Sequence, residues 1–419
     1  MTLHKNRVQF CHRLALVSAA VVGLNASQSF GADAISVANE SRQPVTRHVL
    51  YVESNDARPN SNSIFAYGIA DDGSLRQISG SPFATGGTGF VDPSFALGPF
   101  DNDQQLVMSR NLDTLFAVNP GSNTLTAFHV SPNGRLSLSL GWPTHSGGST
   151  PISIGRVGNR LIVLNSSEDP AQAATAGAPN AQTIDILPGG FPLRRPLQVV
   201  DLPKESDPTQ ALTTNTGRFI FGTGFPAGGS IAAFERNPDG SIIPTDTVEP
   251  PTFNGTQALA LGLWAHPKLP YLYAGLVNVN RLGVYRYNKA GKLSLVTTVA
   301  DTGQGLCWLR VTPDGKWLFA SNTGDNSVSV FDLRDPAKPV EVSRAVGGGA
   351  GGYYQIGLSP DQRHLYALEE ETSTAAEGKS NKIHVFDFDQ IKGRLSNDPD
   401  KTISLPVAAN TRPFGLIIR

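Results

Sequence analysis

The sequence has few residues of the kinds that build metal centres, disulfide frameworks or strongly charged surfaces. It contains 2 cysteines and 8 histidines among 419 residues. Only Cys307 follows the N-terminal apolar run, so the chain after that run has neither an internal disulfide nor a cysteine cluster for zinc. Lysine and arginine number 34 against 35 aspartates and glutamates. A net charge of −1 therefore gives no electrostatic reason to expect nucleic acid or an anionic membrane as a partner.

Common catalytic signatures are missing as well. No His-x-His or His-x-x-x-His pair points to zinc, and no Gly-x-Ser-x-Gly marks a nucleophilic serine. No glycine-rich phosphate loop follows a strand and opens a helix. We therefore predict no cofactor; a divalent metal stays possible, but no cluster of ligands for it is readable.

The N-terminus has the order of a secretory signal. Lys5, Arg7 and Arg13 form a basic start, and the apolar run Leu14–Leu24 is too short to span a bilayer. Ala32–Ala34 then offers a small-x-small cleavage site. We expect residues 1–34 to be removed and the protein to be periplasmic or secreted, with no membrane span afterwards. The alternative is a disordered or anchoring N-terminus.

Glycine and proline are abundant, with 43 and 30 residues, and they separate short strand patterns that recur along the chain. Seven segments read alike, among them "SIFAYGI", "TLTAFHV" and "SVSVFDL". Tight turns precede them near residues 110, 157, 215, 267, 313 and 360, a spacing typical of four-stranded propeller blades. Each segment places a large side chain in the same column, namely Tyr67, Phe128, Ile186, Phe234, Tyr285, Phe331 and Phe386.

The two ends of the repeat region complement each other. The first repeat begins at its second strand, from His48 to Ser54, and the missing inner strand matches Pro413–Arg419. We therefore predict an all-β fold, a seven-bladed β-propeller over residues 48–419, closed by the C-terminal strand. Residues 35–47 are a lead-in. A β-sandwich array, the rival fold, does not explain the displaced last strand.

The two faces of such a propeller differ in this sequence. Short turns such as "ADDGS" and "TPDGK" connect first to second or third to fourth strands, and we call this side the tight-turn face. Long segments such as "NSSEDPAQAATAGAPNAQ" and "EEETSTAAEGKSN" lie on the opposite, loop-rich face. Because long loops in compact folds are usually functional or disordered, we expect a pocket on this face around the central channel.

Polar and aromatic residues near the inner-strand starts are candidate substrate contacts. Trp308 and Tyr354 are alternatively core residues, and Arg310 is alternatively the partner of an inter-blade carboxylate. Loop residues His145, Glu168, Asp169 and Glu369 are candidates for acid–base chemistry. The predicted substrate-binding residues are Gln104, Gln257, Trp308, Tyr354 and Gln355, and Thr150, Gln210, Arg310 and Arg412 occupy similar positions.

The stretches "VTPDGKWLFASNTGDNSVSVFDL", "GLSPDQRHLYALEE" and "YGIADDGSLRQISGSPF" resemble the seven-bladed lactonase-like propeller family. That family includes the propeller-type 6-phosphogluconolactonases and the carboxymuconate cyclases. The resemblance runs from about His48 to Arg419 and implies a site at the channel mouth, where His, Arg and Glu act on a lactone or its acid precursor. The family's residues do not match this sequence one by one, and for such chemistry we assign Arg310 and Arg412 as the cations for a carboxylated substrate, and Glu369 or His145 as the base. In this sequence no inner strand starts with a histidine, and blades 3 and 4 depart most from the family pattern.

Two functions follow as hypotheses. The first is an exported lactonase-like propeller that hydrolyses or cycloisomerises a small carboxylated or sugar-derived lactone. The second is a non-catalytic periplasmic propeller that binds a protein or a glycan. A quinone- or metal-dependent oxidoreductase is a weaker third reading, because no docking motif for such a cofactor is present.

Overall fold

In the computed structural model, residues 48–91, 102–188, 190–193, 197–204, 206–224, 229–371, 380–408 and 411–419 are described. The predicted signal peptide and lead-in lie outside these ranges. The described part consists of strands with four single-turn 3-10 helices, Pro120–Ser122, Pro170–Gln172, Val277–Val279 and Pro399–Lys401. None of the described helices has the length and apolarity needed to cross a membrane.

Seven antiparallel sheets form the blades of the predicted propeller. From the innermost strand outward, the blades contain the following strands: blade 1, Phe414–Ile418, His48–Glu53, Ser63–Ile69 and Leu75–Gln77; blade 2, Leu106–Met108, Thr114–Asn119, Thr124–Val130 and Leu136–Leu138; blade 3, Pro151–Val157, Arg160–Asn165, Asn180–Asp185 and Gln198–Asp201; blade 4, Leu212–Thr213, Phe219–Gly224, Ser230–Arg236 and Ile242–Val248; blade 5, Ala260–Ala265, Tyr271–Leu276, Arg281–Tyr287 and Leu293–Ala300; blade 6, Leu306–Val311, Trp317–Asn322, Ser327–Asp332 and Val340–Val346; blade 7, Gly352–Leu358, His364–Glu370, Lys382–Asp389 and Arg394–Asn397. Short strands Phe83–Ala84, Thr144–His145 and Ile403–Ser404 extend blades 1, 2 and 7, and Thr252–Phe253 pairs with Thr256–Gln257 as a separate ribbon.

The fold prediction is confirmed, including the closure of the ring. The C-terminal strand Phe414–Ile418 pairs antiparallel with His48–Glu53, so that Leu416 lies opposite Val52. The backbone of Val49 also exchanges hydrogen bonds with that of Arg419, at 3.1 and 3.0 Å. Blade 1 is therefore assembled from both ends of the propeller, and the pairing removes an open sheet edge.

The column of large side chains is present in every blade, with one correction. In six blades the column residue lies opposite the second residue of the preceding strand, as Phe331 lies opposite Leu318, and in blade 1 Tyr67 lies opposite the third residue, Leu50. In blade 3 this position belongs to Ile184, opposite Leu161, and not to the predicted Ile186. The long loop before this strand hides the register, since a two-residue slip preserves the alternation of apolar and polar residues.

A polar contact recurs where the second and third strands meet at the loop-rich face. Asn119 donates to Thr126 and Asn322 donates to Ser329, each through Nδ2 at 2.9 Å. Gly303, in the link that enters blade 6, lies against Asn322. A Cβ atom at position 303 would overlap the side-chain amide of Asn322. Because all these side chains are buried, their mutual hydrogen bonds offset the cost of removing them from water.

Blade 6 adds a carboxyl group to this contact. Asp301 Oδ1 accepts a hydrogen bond of 2.6 Å from Ser329, and Asp301 Oδ2 is buried without a hydrogen-bond partner among the described residues. Burial raises the pKa of Asp301 to about 6, and the nearby carboxylates of Glu341 and Asp325 act in the same direction. The folded state therefore favours the protonated form of Asp301 more than the unfolded state does.

We predict that Asp301→Asn stabilises the protein at neutral pH. The pKa of Asp301 is higher in the folded state than in the unfolded state. Its stabilising contribution to the unfolding free energy is therefore complete below the unfolded pKa and is lost as the pH rises through about 6. The variant lacks this loss, so its unfolding free energy should exceed that of the parent by on the order of 1–3 kcal/mol at pH 7 and approach it near pH 4. Chemical denaturation across that range measures the difference.

Asp332 provides a control of opposite sign. Burial would raise its pKa, but hydrogen bonds from Arg334 outweigh burial and lower it. Asp332→Asn should therefore lose stability at neutral pH. Equal responses of the two variants to pH would contradict the assignment to Asp301.

Candidate functional site

A short stretch of chain, Asn102–Gln105, lies within the central channel, and we call it the channel segment. Its backbone N–H and carbonyl groups bond to several blades. Asp103 N–H donates to the Thr209 carbonyl at 3.1 Å, and the Gln104 carbonyl accepts from Ile154 N–H at 2.8 Å. Gln355, on the inner strand of blade 7, donates to the Asn102 carbonyl at 2.7 Å. A segment that bonds to blades 3, 4 and 7 at once must cross the space that those blades surround.

The channel segment carries one half of a buried ion pair. Arg310, on the inner strand of blade 6, donates to both oxygens of Asp103 at 2.6 and 3.1 Å. The Asp103 side chain is 1% exposed and that of Arg310 is 13% exposed. The guanidinium of Arg310 also lies 4.5 Å from the ring centroid of Trp264, on blade 5. The structure thus pairs Arg310 with a carboxylate, which was the alternative interpretation of this residue. Both terminal nitrogens of its guanidinium are directed at Asp103.

Two glutamines link the channel segment to blades 4 and 5. Gln210 donates to Gln104 Oε1 at 3.0 Å, and Gln210 Oε1 accepts a hydrogen bond of 2.8 Å from the N–H of Leu263. Gln104 has a φ of 66°, in the left-handed region that non-glycine residues rarely adopt. The predicted residues Gln104, Arg310 and Gln355 therefore meet on one segment, together with Gln210.

Several buried polar atoms around the channel have unused hydrogen-bonding capacity. Within the described ranges, Trp308 Nε1, Gln355 Oε1 and Gln105 Oε1 have no hydrogen-bond partner. Trp308 and Gln355 have no exposed surface, and Gln105 has none either. Since buried polar groups are normally paired, a bound water or ligand would be needed to satisfy these atoms.

The two predicted aromatic contacts pack into the wall instead of standing free. Trp308 and Tyr354 are 0% and 1% exposed, and they form an apolar cluster with Leu261 and Cys307. Three inner strands, from blades 5, 6 and 7, supply this cluster. The two rings therefore present almost no exposed surface, and the indole N–H of Trp308 is buried as well.

Glu369 lies away from the channel segment, between strands of blade 7. It occupies the position that Asn119 and Asn322 hold in blades 2 and 6, opposite the start of the third strand. His384 Nε2 lies 2.7 Å from Glu369 Oε2, and the N–H groups of Ala350 and Gly351 donate to Oε1. Burial would raise the pKa of Glu369, but these hydrogen bonds outweigh it and lower the pKa. Glu369 therefore serves as the blade 7 version of the recurring polar contact.

The remaining predicted residues lie at other places on the loop-rich face. His145 is exposed, and its Nδ1 accepts a hydrogen bond of 2.9 Å from the N–H of Gly147. Gln257 belongs to the exposed two-stranded ribbon. Arg412 is buried just before the closing strand, and its carbonyl accepts a hydrogen bond of 3.1 Å from Asn55.

Asp103 is the residue that sequence reasoning missed. Its partner Arg310 lies 207 positions later, and no local pattern links the two.

A metal site is not evident in the described ranges, since no group of three or more His, Cys, Asp or Glu side chains there is arranged to hold an ion.

We predict that Arg310→Ala strongly destabilises the protein. The substitution leaves the buried Asp103 side chain without its partner, which typically costs about 3–5 kcal/mol. Arg160→Ala is the matched control, because Arg160 binds Asp185 through both oxygens at 2.6 and 3.1 Å at a more exposed place. That loss should cost about 1 kcal/mol or less. Similar unfolding free energies for the two variants would refute a special role for the channel pair.

Comparisons with known proteins agree with this architecture. The family described as "Lactonase, 7-bladed beta-propeller" matches residues 262–355, from blade 5 to the inner strand of blade 7. The 6-phosphogluconolactonase of Bacillus subtilis (strain 168) is 26% identical over 149 residues, which are 34% of this chain and 40% of that protein. The match thus spans about two fifths of the relative's length.

Solved structures of low sequence identity share the fold. A putative 6-phosphogluconolactonase from Bacteroides fragilis superimposes with a TM-score of 0.65 and 18% identity, covering 90% of this chain and 99% of that one. The periplasmic gluconolactonase of Pseudomonas aeruginosa gives a TM-score of 0.61 and 16% identity, covering 87% and 99%. The comparisons therefore confirm the predicted resemblance of this chain to the seven-bladed lactonase-like propeller family, and among its relatives to the 6-phosphogluconolactonases.

Proposed function

We propose that this chain acts on a small carboxylated or sugar-derived lactone, by hydrolysis or cycloisomerisation, inside the central channel. The observation that carries the proposal is the buried Asp103–Arg310 pair with unpartnered polar atoms on the neighbouring inner strands. A water-poor site of this kind strengthens electrostatic interactions with a reacting group. The likeness to 6-phosphogluconolactonases supports the choice of a lactone.

Each group in the channel has a chemical role in this proposal. Asp103 is an acceptor for a proton from the attacking water, and Arg310 fixes the orientation of its carboxylate. The indole N–H of Trp308 donates to the carbonyl oxygen, on which negative charge develops. Gln355 bonds to Asn102, the chain neighbour of Asp103. Its amide oxygen accepts a hydrogen bond from a hydroxyl group of the substrate. Arg412 is the cation for a substrate carboxylate at the loop-rich end of the channel.

Export is part of the proposal and bears on the substrate. The basic start, apolar run and small-x-small site of residues 1–34 support it. The structural relative from Pseudomonas aeruginosa is described as a periplasmic gluconolactonase, which fits a lactone met outside the cytoplasm. A cytoplasmic phosphorylated lactone fits an exported enzyme less well.

We predict that the purified protein releases acid from lactones and that Asp103→Asn abolishes most of this activity. A pH-indicator assay against gluconolactone, 6-phosphogluconolactone and carboxylated muconolactones measures hydrolysis, and loss of muconate absorbance measures cycloisomerisation, in which a muconate carboxylate adds to a C=C bond without loss of water. Removal of a general base typically costs about 10²–10⁴-fold in rate. Asp185→Asn, which changes the matched surface pair, should keep the parental rate.

The controls separate catalysis from folding. Thermal unfolding must show that Asp103→Asn is folded at the assay temperature, and Asp103→Glu should recover part of the activity because it restores the carboxylate. A folded Asp103→Asn variant with full activity would remove Asp103 from the mechanism. Arg412→Ala should raise KM for carboxylated lactones more than for neutral ones.

We also predict that the protein recovered from the periplasm or medium of an expressing bacterium begins near Ile35. Mass spectrometry of the intact protein measures this directly. Recovery of the uncleaved chain from the cytoplasm alone would overturn the export proposal without touching the lactone proposal.

A non-catalytic propeller that binds a protein or glycan is the second candidate. The burial of Trp308 and Tyr354 in the channel wall favours it, because these rings then offer little surface to a small substrate. Silence across the lactone panel, with a folded protein, would favour this candidate. Affinity capture from periplasmic extract, followed by binding of the purified partner, would then test it.

A further inference from the structure

One position in the third strand of each blade faces the next blade and fills the space between them. In six blades it carries a branched apolar side chain, and in blade 3 it carries alanine. All seven residues are buried. In chain order they are Ile64, Leu125, Ala181, Ile231, Leu282, Val328 and Ile383.

The side chain of Ala181 points toward blade 4. Ala181 lies opposite Leu164 in the sheet, and both pack in a cluster with Ile220 and Phe234 of blade 4. The corresponding Leu125 of blade 2 packs with Ile154 and Leu161 of blade 3 in the same way. Alanine therefore removes about three carbons from a space that the other blades fill.

A cavity is found at this place. It has a volume of about 120 Å³ and is lined on the blade 3 side by Ile162, Leu164 and Ala181. Ile220, Phe221 and Phe234 line it on the blade 4 side. Truncation of a core leucine or isoleucine to alanine is known to leave such a space when the surroundings do not collapse into it.

We propose that this cavity between blades 3 and 4 is a binding site for a small apolar ligand, a single aromatic ring or a branched alkyl group of similar size. Its volume is close to that of an engineered core cavity of about 150 Å³, which stays dry and takes up benzene. Its lining is mostly apolar, and the polar side chains in it include Ser206, Gln210 and Thr223, which hydrogen-bond to Pro203, Leu263 and Leu261 within the protein. An uncharged apolar group gains dispersion contacts there that an empty space lacks.

The cavity has a neighbour that supplies a route in. Ser206 lines both the cavity and an open depression of about 700 Å³ on the loop-rich face. Ser166, Lys204 and Asp207 also line that depression. A ligand with an apolar ring and a polar substituent would therefore place its ring between the blades and its substituent near Ser206. Gln210 lines this cavity and also bonds to Gln104 of the channel segment, but neither Asp103 nor Arg310 lines it, so the inference goes beyond the proposed lactone chemistry.

The test uses toluene as a probe and thermal unfolding of the full-length protein as the readout. A ligand that binds only the folded state raises the unfolding temperature with its concentration. Toluene should raise this temperature for the parent protein and leave it unchanged for Ala181→Leu, whose side chain occupies the cavity. Val328→Leu enlarges the equivalent residue of blade 6 and should respond like the parent.

The outcomes decide the proposal. Ala181→Leu should unfold at or above the temperature of the parent in the absence of toluene, because Leu125 and Leu282 are accommodated at the same position in other blades. If Ala181→Leu does not fold, Ala181→Val fills part of the space and should weaken the toluene response. Failure of both variants to fold would show that the space is not there. No toluene response in the parent, or an equal response in parent and Ala181→Leu, would overturn the site.

Discussion

The packing of each sheet face against the next blade is the interaction on which the rest of the structure depends. An isolated four-stranded sheet has two apolar faces, and each must be covered by a neighbour. In this chain the column residues, such as Phe128 and Phe331, are essentially buried in that role. A ring meets this requirement for every blade only if it closes, and the pairing of Phe414–Ile418 with His48–Glu53 closes it. Stability is therefore shared around the ring instead of residing in one central core.

The ring geometry creates a second requirement at its centre. Seven inner strands leave a channel, and this chain places a polar segment inside it and not an apolar plug. A polar filling is stable only when its groups are paired, and Asp103, Gln104 and Asn102 find partners on several blades. Removal of one partner therefore affects blades that are distant in sequence. The same dependence fixes the positions of the groups proposed to act on a substrate.

Much of the fold is predictable from the sequence because its signals are local and repeated. Turn residues, alternation and the column of large side chains recur in each blade, so one weak signal is read many times. The register of blade 3 is harder, since a long loop precedes Asn180–Asp185 and removes the constraint that a short turn would impose. For that reason the sequence pattern predicts Ile186 in the column, whereas Ile184 occupies it.

The candidate site is predictable only in part, for a related reason. Inner-strand residues such as Arg310 and Gln355 are identified by their place in the repeat, and both contact the channel segment. The partner of Arg310 is not identifiable this way, because Asp103 lies in a link between blades that follows no repeat. Glu369 shows the converse case, because the sequence pattern predicts it in a loop and it lies in the second strand of blade 7, while its role as a base stays a prediction. It looks like the acidic edge of a loop, yet it holds the place of Asn322 and pairs with a strand residue.

Departures from the repeat are therefore the places where this chain carries individual information. In blade 7 the recurring amide–hydroxyl contact becomes Glu369 and His384, which keeps a hydrogen bond and so keeps the packing. In blade 3 the branched side chain becomes Ala181, and nothing replaces the missing volume. The first change is compensated within the protein and needs no ligand to explain it. The second is not compensated, so an apolar ligand that fills the space would supply the contacts that every other blade obtains from its own side chain.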